Sequence, residues 1–251
     1  YPQLRSVMTW ALIFGVLACS GLLWVFSFLG GAALERPAEV QSQIGLDLVG
    51  MIPRIEVDER RTGAGLKAGA DGHHLIVCRA DGRSRCSDAY RILLTNLTSK
   101  LPGRPAVILV TSSTLQEGKS TTVANLGVAS AELGHRTLII GCNLRRPTLY
   151  KIFQLSQEGG MSDLLSGAIP VDQWRTFVKP TGLENLSLLT SGKLPRDSTK
   201  LLSSERTTEV LRRVREDFDY ILIDSPPATL LTDALVLASR VDGVILVYAA
   251  R

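Results

Sequence analysis

The fold is decided by Val110-Thr111-Ser112-Ser113-Thr114-Leu115-Gln116-Glu117-Gly118-Lys119-Ser120-Thr121. A short apolar run, residues 106–110, leads into this stretch, and a segment of helix-forming residues begins at Ser120. A Gly-Lys-Ser sequence between a strand and a helix turns successive backbone N–H groups, and the helix N-terminus, towards phosphate groups. The stretch therefore predicts a phosphate-binding loop that joins a buried strand to a helix.

Within this loop the residue types predict a site for ATP and Mg²⁺. Lys119 is expected to reach the β- and γ-phosphate oxygens, and Ser120 is expected to place its hydroxyl on Mg²⁺. The remaining nucleotide-binding residues are predicted to be Ser113, Thr114, Leu115, Gln116, Glu117, Gly118 and Thr121. The loop departs from the G-x-x-x-x-G-K-S/T pattern at Ser113, which replaces the first glycine. Gln116 also occupies a position where glycine would ease a positive φ.

A second chemical signal is the apolar run 220–223, which ends in Asp224. The carboxyl ends of parallel strands face the ligand crevice of such a sheet, and carboxylate oxygens are good ligands for Mg²⁺. An aspartate at a strand end is, taken alone, more often a turn or cap residue. Together with the loop, it predicts that Asp224 binds the metal and forms the catalytic pair with Lys119.

Short apolar runs alternate with helix-like segments over residues 87–251. The runs are 106–110, 137–140, 220–223 and 244–247, with 186–189 as a fifth candidate, and the helix-like segments are 120–133, 148–153, 204–217 and 232–240. An earlier helix, capped by Ser87, is predicted to end before Pro102. Alternating strands and helices require right-handed crossovers and a mainly parallel sheet. The predicted fold is thus α/β, a P-loop NTPase-like doubly wound sheet preceded by one transmembrane helix.

That transmembrane helix is predicted from residues 6–34, which carry no charged side chain. About 20 helical residues cross a bilayer core of ~30 Å, whereas the apolar part of a secretory signal is usually only ~7–15 residues. Basic residues after the helix favour a cytoplasmic location for the C-terminal side of the chain. The predicted organisation is an extracytoplasmic stub (1–5), a transmembrane helix (6–34), a juxtamembrane segment and linker (35–86) and a nucleotide-binding domain (87–251). The predicted location is the cell inner membrane.

Charge and cysteine content bear on the expected partners. The net charge is +4, and the basic residues cluster in 54–85 and at Arg145-Arg146 without interleaved aromatic residues, which argues against a nucleic-acid groove. A solvated basic linker is favoured over a lipid-binding one. The four cysteines form no C-x-x-C pair, as suits a reducing cytosol. Because the chain begins with Tyr1 and ends within an apolar run, we expect it to be a segment of a longer protein.

Several further motifs accompany the loop and the strand-end aspartate. They are Leu138-Ile139-Ile140-Gly141-Cys142-Asn143-Leu144-Arg145-Arg146-Pro147, Gly160-Met161-Ser162-Asp163-Leu164-Leu165, Leu201-Leu202-Ser203-Ser204 and Thr232-Asp233-Ala234-Leu235. With the spanning helix in front, this set resembles the bacterial tyrosine kinases attached to polysaccharide co-polymerases. Those proteins control the chain length and export of exopolysaccharide.

The resemblance implies partners and missing segments. It implies a homo-oligomer in the membrane that works with the machinery of polysaccharide polymerisation and export. It also implies an extracytoplasmic chain-length domain before the chain, and a tyrosine-rich tail after Arg251, or a tyrosine-containing partner, as the phosphorylation target. The family's interface motif Glu-x-x-Arg-x-x-Arg is represented here by Asp88, Arg91 and Leu94.

The main departure from the family lies after residue 140. Where the family has Asp-x-Asp-Leu-Arg-Arg-Pro, this chain has Gly141-Cys142-Asn143-Leu144-Arg145-Arg146-Pro147. The family uses the two carboxylates to bind metal and to activate the tyrosine hydroxyl. Glycine can do neither, and Asn143 offers Mg²⁺ only a neutral oxygen, which makes it a weak metal ligand. Arg145 and Arg146 are expected to act as auxiliary charge partners.

Four functions remain open at this point. The favoured one is an ATP-binding regulatory subunit of exopolysaccharide synthesis, derived from a tyrosine autokinase and weakly active or inactive. The second is a fully active kinase in which another carboxylate, such as Glu117, replaces the lost ones. A partition-type ATPase is disfavoured because that family places an additional lysine early in its loop. A purely structural anchor would bind no nucleotide.

Overall fold

The structure is a computed structural model that describes residues 45–54, 76, 78, 84–101, 103–229 and 231–249. Packing divides the chain into one unit of residues 1–48 with 250–251 and a second unit of residues 49–249. Of the first unit, residues 45–48 are described, and they are exposed and have no regular secondary structure. The predicted stub 1–5 and spanning helix 6–34 lie outside the described residues. No helix in the described ranges is long and apolar enough to cross a membrane.

The second unit is built on a six-stranded sheet with the order β3-β4-β2-β5-β1-β6. The strands are β1 (Ala106–Ser112), β2 (Thr137–Gly141), β3 (Val178–Pro180), β4 (Leu186–Leu189), β5 (Tyr220–Asp224) and β6 (Gly243–Val247). All neighbours pair in parallel except β3 and β4, which are antiparallel. The predicted mainly parallel sheet is confirmed, and β3 adds an antiparallel edge that the sequence did not reveal.

Seven α-helices and one 3-10 helix are described in this unit. They are α1 (Arg85–Thr98), α2 (Lys119–Glu132), α3 (Leu149–Ile152), α4 (Met161–Leu165), the 3-10 helix (Val171–Phe177), α5 (Ser198–Ser203), α6 (Glu205–Val214) and α7 (Asp233–Ala238). The elements that the sequence did not predict are α4, the 3-10 helix and α5. Each is seven residues or shorter, which leaves little room for a 3.6-residue periodicity to stand out. The equally short α3 and α7 were predicted nonetheless.

Helices cover both faces of the sheet, so the core has two halves. Alternate residues of β1 point to opposite faces: Ile108 and Val110 join the half that packs against α1, α2 and α3. Val107 and Leu109 join the half that packs against α4 to α7 and contains Trp174. A strand buried on both faces reads as a continuous apolar run. For this reason the central strands could be located in the sequence. The helices on both faces of the sheet confirm the predicted doubly wound arrangement.

The N-terminal boundary of the folded unit differs from the expectation. The N-cap of α1 is Ser84, whose hydroxyl accepts the N–H of Ser87, so Ser87 lies inside the helix. Ile76 and Cys78 are buried in the core, although the sequence placed them in a linker. Residues 49–54 also reach the core, since Val49 and Ile52 pack against it. The apolar run 75–78 is only four residues long and lies between charged and glycine-rich stretches, so the burial of Ile76 and Cys78 was not predicted.

Candidate functional site

The loop between β1 and α2 has the backbone shape that the sequence predicts. Gly118 caps α2 with a φ of 88°, and Gln116 has a φ of 63°. The left-handed conformation is strained for a residue with a Cβ, at about 1–2 kcal/mol. Glutamine therefore takes a glycine-like conformation here, and contacts elsewhere in the loop must hold it.

Lys119 is buried at the start of α2, and its ammonium turns back across the loop. The Nζ atom donates to Ser112 Oγ at 2.7 Å and to the Thr114 carbonyl at 3.2 Å. Burial lowers the pKa of Lys119, and the carboxylates of Asp224 and Glu117 oppose that shift. These contacts hold the cation over the concave side of a loop whose pattern is suited to phosphate.

Ser120 and Asp224 come together at the carboxyl edge of the sheet. Ser120 Oγ donates to Asp224 Oδ2 at 2.8 Å. Asp224 is buried, and its Oδ1 has no hydrogen-bond partner among the described residues. Burial raises the pKa of Asp224 to about 7, against the hydrogen bond from Ser120 and the charge of Lys119. A buried oxygen without a partner calls for a ligand.

This donor set fits Mg²⁺ held together with phosphate oxygens. Magnesium is commonly bound by one or two protein ligands, with waters and substrate phosphates completing its shell. Within the described ranges, no group of three or more His, Cys, Asp or Glu side chains could hold a metal ion on its own. Ser120 and Asp224 would therefore form a metal site only with a bound nucleotide.

The burial of Asp224 also predicts how stability depends on pH in the ligand-free protein. Its pKa is about 7 in the folded chain against a usual 3.8, so the folded state keeps this proton after the unfolded state has lost it. The contribution of Asp224 to the free energy of unfolding should fall as pH rises from about 4 to about 7, by up to about 1.4 kcal/mol for each unit of pKa difference. Urea denaturation across this range should show a shallower slope for Asp224→Asn than for the wild type. Equal slopes would contradict the assignment.

At the end of β2, Gly141 lies opposite Asp224 in the strand register. A Cβ atom on Gly141 would lie 2.6 Å from Ser191 Oγ and 3.0 Å from the Ser191 backbone nitrogen. Ser191, which follows β4, thus fills the space that a side chain at position 141 would need. Nothing in the sequence indicated this contact, because the two residues lie far apart along the chain.

Asn143 and the two arginines have structural partners. The Asn143 side-chain oxygen accepts the N–H of Arg146 at 3.1 Å and so closes a turn. Arg145 forms an ion pair of 3.1 Å with the buried Asp233 and also donates to Thr199. Burial raises the pKa of Asp233, but its hydrogen bonds with Arg145, Thr199 and Ser198 lower it overall. Arg145 is therefore a charge partner of Asp233. The sequence had not indicated Asp233 as the partner of this arginine.

The structure thus brings Lys119, Ser120 and Asp224 together and places Gly141 beside them. It ties Arg145 to Asp233, and Arg146 is exposed. The proposed roles of these side chains in binding nucleotide and metal stay predictions.

Comparison with known proteins gives consistent matches. The family described as "AAA domain" matches residues 107–250. The putative tyrosine-protein kinase CapB of Staphylococcus aureus is 33% identical over 170 residues, which cover 67% of this chain and 73% of CapB. The tyrosine-protein kinase wzc of Salmonella typhi is 26% identical over 252 residues, which cover 98% of this chain but 34% of that protein.

Among solved structures, the chimerical protein CapA2B2 superposes with a TM-score of 0.72 at 26% identity, covering 84% of each chain. The chain therefore belongs to the AAA-domain family, in the group that contains the bacterial tyrosine-protein kinases.

Proposed function

We propose that the chain is a membrane-tethered Mg·ATP-binding domain that regulates the synthesis and export of exopolysaccharide. It derives from a protein-tyrosine autokinase and transfers phosphate to tyrosine slowly or not at all. One observation carries the proposal, namely the contrast between neighbouring strand ends. The loop after β1 and the end of β5 keep Lys119, Ser120 and Asp224, whereas the end of β2 has Gly141 packed against Ser191.

The binding half of the proposal rests on the three retained side chains. Lys119 would bind phosphate oxygens, and Ser120 and Asp224 would hold Mg²⁺, which neutralises charge on the phosphates when bound. The Oδ1 atom of Asp224 has no partner in the described part of the chain and is available for such a ligand. Asn143 is a weaker candidate because its oxygen already accepts the Arg146 N–H.

The catalytic half rests on the missing general base. With glycine at 141 and asparagine at 143, neither position can take a proton from a tyrosine hydroxyl. Glu117, the substitute carboxylate of the alternative kinase, is poorly suited to that role. Partial burial raises its pKa, but hydrogen bonds from the Thr114 N–H and the Ser113 hydroxyl lower it overall. A carboxylate whose charge is stabilised in this way is a weak base.

The proposed location and partners rest on the relatives. By the resemblance to the co-polymerase tyrosine kinases, the domain would lie on the cytoplasmic side of the inner membrane as a homo-oligomer, and it would act with the polysaccharide machinery on a tyrosine-containing tail or partner. The family's interface motif is altered here. Leu94, at its third position, is only 2% exposed, and Arg91 pairs with Asp88 and Glu132 of its own chain. Leu94 is therefore not available for an oligomer contact, and Arg91 would have to exchange its own-chain partners to form one.

Calorimetric titration of the full chain in detergent with ATP and ADP, each with and without Mg²⁺, tests the proposal. We expect one nucleotide per chain, with tighter binding in the presence of Mg²⁺. The absence of binding under both conditions would favour the structural anchor instead.

A further inference from the structure

The side chain of Glu117 closes the phosphate-binding loop on itself. Its Oε2 accepts the Thr114 N–H at 2.7 Å. The Ser113 hydroxyl lies 3.2 Å from Oε1 and 3.1 Å from Oε2 and donates to this carboxylate. Serine stands here in place of the first glycine of the common pattern. The departure at position 113 therefore supplies a donor that glycine lacks.

The loop needs such a contact because little else holds its outer part. Gln116 has a φ of 63°, which is unfavourable for a residue with a Cβ. Leu115 is 45% exposed, so apolar packing can fix the turn only in part. Exposed backbone with few apolar contacts opens readily unless polar contacts restrain it.

The inner part of the loop has separate restraints. The Ala228 N–H donates to the Ser112 carbonyl at 2.9 Å, and the Thr229 hydroxyl donates to the Ser113 carbonyl. Lys119 donates to Ser112 Oγ and to the Thr114 carbonyl. None of these contacts reaches residues 115–117. The Glu117 carboxylate joins the outer turn to the start of the loop, and it also has hydrogen bonds with the Ser112 side chain and the Ala249 backbone.

This carboxylate leaves two of the groups expected to bind phosphate to other partners. The Lys119 ammonium donates to Ser112 and the Ser120 hydroxyl donates to Asp224. The Thr114 N–H and the Ser113 hydroxyl, which the sequence also assigns to the nucleotide site, donate to Glu117. The negative charge of Glu117 repels phosphate, so its net effect on affinity is the balance between this repulsion and the ordering of the loop.

We propose that Ser113 and Glu117 form a clamp that shapes the phosphate-binding loop before nucleotide arrives. Glu117 is then a positioning residue, and the serine at 113 is its partner. The effect of the clamp on nucleotide affinity rests on the proposed function, whereas its effect on the free loop does not. A loop ordered in advance loses less conformational entropy on binding, so it binds more tightly.

The test uses the full chain with Glu117→Ala, Glu117→Gln, Ser113→Ala and the double variant Ser113→Ala/Glu117→Ala. Glu184→Ala is the matched control, because it removes one exposed negative charge at the start of β4, far along the chain from the loop. Two quantities are measured: the hydrogen-exchange rates of the amides of residues 114–118 without nucleotide, and the Mg·ATP affinity by calorimetry.

For Glu117→Ala we expect exchange about tenfold faster, near the lower end of the effect of losing a charge-assisted hydrogen bond. Mg·ATP affinity should be about three- to tenfold weaker, because the clamp acts on the free loop and does not contact the phosphates directly. Glu117→Gln, which keeps one acceptor oxygen, should lie between Glu117→Ala and the wild type. Adding Ser113→Ala to Glu117→Ala should change little, and Glu184→Ala should match the wild type.

Three outcomes separate the claims. Unchanged exchange in Glu117→Ala would overturn the clamp, whatever the affinity. Faster exchange with equal or tighter Mg·ATP binding would overturn the positioning role and show that charge repulsion dominates. If exchange is faster in Glu117→Ala but the wild type binds no nucleotide, the clamp is upheld and the proposed function is refuted.

Discussion

Restoring two carboxylates at the end of β2 should raise the rate of tyrosine phosphorylation by about 10²–10⁴-fold, the usual contribution of a positioned general base. The variant combines Gly141→Asp and Asn143→Asp with Ser191→Ala. The third change is needed because a Cβ at position 141 would lie 2.6 Å from Ser191 Oγ. Removing that hydroxyl leaves the backbone nitrogen at 3.0 Å, a close contact that a small adjustment relieves.

The affinity for ATP should change little in this variant, because Lys119, Ser120 and the loop are unaltered. The assay follows labelled phosphate on a tyrosine peptide added in trans, with ATP affinity measured in parallel. A matched control, Gly141→Asn/Ser191→Ala with Asn143 left in place, makes nearly the same steric change without the carboxylates and should stay as slow as the wild type. Without the change at Ser191, Gly141→Asp should lower the melting temperature. The interpretation fails if the wild type is already fast and the restored variant is no faster.

Replacing Lys119 with methionine should weaken Mg·ATP binding by at least tenfold. A charge-assisted contact to phosphate contributes about 1.5–3 kcal/mol, which corresponds to roughly 10–150-fold in affinity. Methionine keeps the length and apolar stem of lysine, so the buried side chain should still pack. The measurement is calorimetric titration with Mg·ATP.

The control for this substitution is Lys100→Met, which removes an exposed positive charge just after α1, before the start of β1. Its affinity should match that of the wild type. Equal affinities for Mg·ATP in Lys119→Met and the wild type would contradict the prediction that this loop binds phosphate.

The fold was predictable where the sequence signal is local and strong. Buried parallel strands such as β1 and β5 read as unbroken apolar runs, and the Gly-Lys-Ser sequence located the start of α2. The antiparallel β3 and the short α4 and α5 escaped prediction because a few residues carry too little pattern. The burial of Ile76 and Cys78 escaped it because the apolar run 75–78 is short and lies between charged and glycine-rich stretches.

The candidate site was predictable in part for the same reason. Lys119, Ser120 and Asp224 follow from the loop and from the rule that parallel strand ends meet at one edge. Their close placement needed only the correct strand order. The contact of Ser191 with Gly141 and the ion pair of Arg145 with Asp233 join residues that are distant along the chain. Such pairs depend on how separate elements pack, which one sequence does not reveal.

We have proposed that this domain binds nucleotide but is impaired in phosphotransfer. The most direct test is to measure how long ATP bound to the unmodified chain stays intact. The full chain, saturated with γ-labelled Mg·ATP and mixed with a tyrosine peptide, is quenched at intervals and analysed for intact ATP and phosphotyrosine. Active kinases turn over at roughly 1–100 s⁻¹. We predict that one ATP per chain stays bound and intact for many minutes, with little phosphotyrosine. Phosphotyrosine that accumulates within seconds would show that the chain is an active kinase, and a chain that binds no ATP would be no nucleotide-binding domain at all.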